Sequence, residues 1–78
     1  MVYCTIKHRK RDSAVYLFGG NVNDITGEVG FYADMRLPAI IKQPNMEHVP
    51  VRMLTRLLVK YMDKFSNKIF PDKMSYEY

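Results

Sequence analysis

Cysteine is nearly missing from these 78 residues, and with it the usual means of stapling a small protein. Cys4 has no partner for an internal disulfide, and with two scattered histidines, His8 and His48, it makes no recognisable zinc pattern. The fold therefore has to rest on packing, helped where needed by oligomerisation. No apolar run approaches the roughly 20 residues of a membrane-spanning helix. Nor does the opening Met1-Val2-Tyr3-Cys4-Thr5 have the charged-then-apolar layout of a signal peptide. A soluble, cytoplasmic protein without a membrane partner is expected. There is no internal repeat, low-complexity tract or composition break, so residues 1–78 read as one domain.

Catalytic patterns are missing as well. His8 and His48 fall in expected loops with no serine or carboxylate at an informative spacing, and Cys4 sits in a strand pattern as a small hydrophobe. Asp24 and Glu28 resemble a carboxylate pair only superficially. Gly19-Gly20 and Gly27-x-x-Gly30 lack both the Lys-Ser/Thr of a P-loop and the following helix of a dinucleotide site. They read as turn and bulge residues that supply positive φ. These absences point to a non-enzyme with no cofactor, no metal and no small-molecule substrate.

What remains has the composition of an ordinary globular chain, 47% hydrophobic and 26% charged. Val2, Cys4 and Ile6 alternate with Tyr3 and Thr5, the period of a half-buried strand. A polar run, Lys7 to Ser13, leads to a second strand, Ala14 to Phe18, whose two faces are both apolar, so its register stays open. In the third run Val29, Phe31, Ala33 and Met35 alternate with Glu28, Tyr32, Asp34 and Arg36. Pro38, Pro44 and Pro50 then exclude a long helix or a central strand, because proline lacks the N–H donor. From Pro50 the period becomes helical: Met53, Leu54, Leu57, Leu58, Tyr61, Met62, Phe65 and Ile69 share one face.

The expected architecture is α+β, a three-stranded antiparallel meander packed against one C-terminal helix, in the order βββα. Residues 1–36 make the sheet, 37–49 a proline-punctuated crossover, 50–69 the amphipathic helix and 70–78 a tail that frays or docks through Tyr76 and Tyr78. That order is similar to the DNA-binding amino-terminal domains of some phage-type integrases, where a three-stranded sheet packs on one helix. The resemblance is one of element order and carries over no functional residue.

The net charge is +4, and its placement is uneven. Lys7, Arg9, Lys10 and Arg11 crowd the first turn, and Arg52, Arg56, Lys60, Lys64 and Lys68 step through the helix four residues at a time. Elsewhere three bases stand against seven acids, so all the excess positive charge lies in these two segments. A ridge of bases at four-residue steps follows a line of phosphates, whose neutralisation releases counterions and gives salt-sensitive affinity. The blander reading is a solvated helix face with lysine and arginine stems draped over apolar neighbours. Tyr3 and Tyr32, if outward on the sheet, either stack bases and anchor a protein or simply pair across strands.

Two functions follow as expectations. The first is a non-enzymatic basic module that associates with nucleic acid, DNA or RNA, through Lys7, Arg9, Lys10 and Arg11 together with Arg52, Arg56 and Lys60. The second is a small inhibitor or adaptor of phage or mobile-element type, docking a host protein such as a nucleic-acid enzyme with its basic surface on acidic patches and its tyrosines in an apolar pocket. A Lys-, Asn- and Ile-rich composition accords with the AT-rich genomes common in such elements. A homodimer paired through the sheet is a third partner reading. Whether the two basic segments lie on one side is open at this stage.

Overall fold

The computed structural model describes residues 1–34 and 37–77. Its elements are β1 (Val2–Arg9), β2 (Ser13–Gly19), β3 (Gly27–Tyr32), β4 (Ala39–Lys42), α1 (Val51–Lys60), α2 (Met62–Ser66) and β5 (Lys73–Tyr76). The five strands form one antiparallel sheet in the order β4-β3-β2-β1-β5. This corrects the βββα expectation: the chain is mostly β, with five strands and two short helices.

Two strands lay hidden in segments read as crossover and tail. Ala39–Lys42 pairs with β3 as an edge strand, which the flanking Pro38 and Pro44 permit because an edge leaves donors unpaired. Lys73–Tyr76 crosses the whole molecule to pair with β1, Val2 opposite Tyr76 and Cys4 opposite Met74. β1 is thus an inner strand, and the likeness to a three-stranded integrase domain does not hold. The third run stops at Tyr32, and Ala33 turns back to donate its N–H to the Asp12 carbonyl at 2.9 Å. Met35, Arg36 and Tyr78 lie outside the described residues.

Register fixes the faces. Cys4 opposes Phe18, Ile6 opposes Tyr16 and Tyr16 opposes Val29. The inner face therefore takes Ala14, Tyr16 and Phe18 from β2, leaving Val15 and Leu17 outward. Buried Val2, Cys4, Val29, Phe31 and Met74 complete that face, against Met53, Leu54, Leu57, Leu58, Phe65 and Phe70 from the helical layer. The continuous helix expected over 50–69 is interrupted at Tyr61, at φ −106°. The interruption carries Phe65 onto Phe31 with ring centres 5.1 Å apart, and Phe70 stacks on Phe65 at 5.3 Å. Met62 and Ile69, assigned by period to the buried face, are exposed.

α2 ends in a Schellman arrangement, with Lys68 N–H donating to the Phe65 carbonyl and Ile69 N–H to the Lys64 carbonyl. Lys68 occupies the left-handed position at φ 61°, where glycine is usual. The glycines themselves do something other than supply positive φ, which none of them has. A Cβ on Gly19 would stand 2.0 Å from the Asp24 carbonyl oxygen, and one on Gly27 would stand 2.7 Å from the Phe18 ring. Gly19 and Gly27 are sites of close approach. No described helix is long and apolar enough to cross a membrane.

Candidate binding surface

The first turn uses up much of its own charge. Lys7 sits where the β1–β2 register shifts and reaches across the outer face to Glu28, Nζ to Oε1 2.8 Å, with Lys42 3.9 Å from the other oxygen. The Lys7 hydrogen bond holds the Glu28 carboxyl below its ordinary range. Arg9 opposes Ala14, so it points to the inner side, where its guanidinium donates to the Phe70 carbonyl and to Asp72. Tyr16 adds a 2.6 Å hydrogen bond from its hydroxyl to the Pro71 carbonyl. Arg9 and Tyr16 together anchor the connector that delivers β5 to the edge of β1. Burial raises the Tyr16 hydroxyl pKa, keeping it a donor. Of the turn residues, Lys10 and Arg11 have no carboxylate in salt-bridge reach among the described residues.

The helix differs. Arg52 and Arg56 are exposed on α1 and have no acidic partner among the described residues. Lys60 continues the row, its amine held by the Ser75 carbonyl at 2.9 Å and lying 5.3 Å from the centre of the Tyr61 ring. Alongside runs a second row at the same spacing, Val51, Thr55 and Val59, with the two valines 53% and 60% exposed. Half-buried Thr55 donates its hydroxyl to the Val51 carbonyl at 3.0 Å. A slot of 280 Å³ lined by Thr55, Arg56, Val59, Lys60 and Tyr76 adjoins both rows.

At the start of α1 an open cleft of 510 Å³ lies between Arg52, Arg56, His48, Glu47 and Gly20. One wall is Glu47 to Pro50, the end of a segment from Gln43 that two side chains fix. Asp24, 2% exposed, accepts hydrogen bonds from Thr26 Oγ1, Met46 N and Glu47 N at 2.9–3.1 Å. Gln43 bridges both backbone groups of Val49, at 2.9 and 3.1 Å. Asp24 is thus a structural clamp whose partners lie 22 and 23 residues away.

Arg52 lies far from the first turn, but the helical bases return to it, with Lys68 Nζ 3.1 Å from Asp12 Oδ1 of that turn. Met1 and Gly20 border the Arg52 cleft, whereas Arg9 to Arg11 stand at the far end of the eight-residue β1. At ~3.4 Å per residue that strand separates Arg52 from Arg9 to Arg11 by about 24 Å, well beyond the ~8 Å Debye length of physiological salt. Tyr3 and Tyr32 lie on the outer sheet face, away from the helical layer. Tyr3 is half-buried beside Val22 and Ile25, and Tyr32 is 40% exposed opposite Ser13. The nine candidate residues therefore divide among three regions: the outer face with Lys7, Tyr3 and Tyr32; the β1–β2 end with Arg9, Lys10 and Arg11; and α1 with Arg52, Arg56 and Lys60.

Among the described residues no three His, Cys, Asp or Glu side chains are placed to hold a metal ion. Cys4 is buried, its thiol pKa pushed up to about 12 by desolvation. Comparison with known protein families, curated proteins and solved structures finds no match. The row Val51, Thr55, Val59, with exposed valines either side of a half-buried threonine, is a feature sequence reasoning passed over. Its signal was present, since each member precedes a member of the basic row by one position.

Proposed function

We propose that this chain is a non-enzymatic binding module that docks an acidic protein surface through the outward side of α1. One observation carries the reading: the unpaired cations of α1 run beside an exposed apolar row, while much of the first turn's charge is engaged within the fold. Phosphates would neutralise Arg52 and Arg56 but offer the valines no apolar counterpart; a protein surface supplies both. The outer sheet face suits an apolar partner less well, because the Lys7–Glu28 pair crosses it and its burial would cost desolvation.

Affinity capture from cells with the tagged full chain tests this, using Arg52→Glu/Arg56→Glu and Lys10→Glu/Arg11→Glu variants. The expected result is one acidic protein retained by the wild type and by the Lys10/Arg11 variant, lost with the Arg52/Arg56 variant, and indifferent to nuclease. Loss on nuclease treatment overturns the reading, as does oligonucleotide binding with a steep salt dependence that both variants weaken alike.

A further inference from the structure

We infer that the occupant of the α1 face is an acidic amphipathic helix of another protein, seated along the Val51–Thr55–Val59 ridge with its carboxylates on Arg52 and Arg56. This rests on the acidic-protein reading above and names the shape of the partner. Residues four apart on a helix rise about 6 Å per step, so the ridge is about 12 Å long. Ridges of this kind interlock with the equivalent ridges of another helix, the commonest packing class in globular proteins. The slot beside Tyr76 then receives an aliphatic side chain of the partner, next to Val59 and the stem of Lys60.

Charge selects among the other occupants. A second copy of this chain meeting the face symmetrically would set the two basic rows, Arg52, Arg56 and Lys60, against each other. An added strand on the neighbouring β5 edge would compete with the Lys60 amine for the Ser75 carbonyl. An acidic helix meets neither obstacle, and it pairs with the two arginines that have no carboxylate within salt-bridge distance among the described residues.

The test is fluorescence anisotropy with labelled synthetic helical peptides and the full chain. One peptide carries leucine at every fourth position flanked by glutamates, and a second has the same composition shuffled so that no amphipathic face forms. The ordered peptide should bind about tenfold or more tightly than the shuffled one, the worth of one well-placed contact. Val59→Ser and Val51→Ser should each weaken it several-fold without changing the salt dependence. Arg56→Glu should abolish binding and regain it when the peptide glutamates become lysines. These positions are exposed, and circular dichroism of each variant establishes that it is folded. Equal affinity for ordered and shuffled peptides overturns the helix while leaving an acidic protein partner standing, as does indifference to both valine substitutions. Binding of an oligonucleotide but of neither peptide overturns both.

Discussion

Replacing Asp24 should destabilise the fold more than its loop position suggests. The carboxylate accepts two backbone N–H groups and one hydroxyl, all donors that point into a nearly closed site. Asp24→Ala leaves these donors without their acceptor. Hydrogen bonds to a charged group contribute about 1.5–3 kcal/mol each, and the partial exposure of Met46 and Glu47 lets water replace some of that. A net loss of about 3 kcal/mol follows, against a total stability of about 4–12 kcal/mol for a chain this size. The midpoint temperature should fall by about 12–24 °C. Asp24→Asn is milder, about 1–2 kcal/mol, because the amide oxygen keeps the backbone donors while its NH₂ turns to Thr26 Oγ1. Urea unfolding followed by circular dichroism, with m unchanged, measures both. An alanine variant within about 0.5 kcal/mol of wild type would refute the clamp.

Lys68→Gly should stabilise the protein by up to about 1 kcal/mol, since φ 61° strains a side-chain-bearing residue and the Lys68–Asp12 pair it removes is exposed; thermal melts decide, and a destabilised variant would count against it. Gly19→Ala should cost about 3 kcal/mol or more, because its Cβ would overlap the Asp24 carbonyl and the neighbour is backbone; wild-type expression and melting would contradict this. Alkaline pH should weaken the fold. Cys4, with an ordinary value of 9.0, is raised to about 12, and Tyr16 is raised too, so the unfolded chain releases protons first and stability declines from about pH 9 upward. Urea midpoints between pH 8 and 11 measure it, with Cys4→Ala expected to flatten the decline and an unchanged slope in that variant refuting the assignment to Cys4.

β1, β3 and the amphipathic α1 were legible because their periods run over enough residues to be distinguished, and β2 was legible as an apolar run. The parity of β2 was not, since Ala14, Tyr16, Phe18 and Val15, Leu17 are all apolar and only pairing with Cys4 and Val29 chooses between them. β4 and β5 are four residues each, too short for alternation to register, and β5 forms because β1 offers it an edge some 70 residues away. Tyr61 interrupts the helix without any break in apolar period, as the Phe31–Phe65–Phe70 stack outweighs helical continuity. For the binding surface, the row Arg52, Arg56, Lys60 was plain in the spacing. The engagement of Lys7 and Arg9 was invisible, because their partners lie 21 to 63 residues along the chain.

The pairing of Val2 with Tyr76 makes the backbone nearly circular. Every other strand pairing joins neighbours in sequence, so the meander β1 to β4 assembles from local hairpins, while β5 must wait until residues 10–72 have followed β1 from the ribosome. Until then an inner strand of the finished sheet stands as a bare edge, the kind of surface on which nascent chains stick to one another. Joining Tyr76 to Val2 by a short peptide and opening the ring at the exposed 10–12 turn would convert this last, longest closure into a local hairpin.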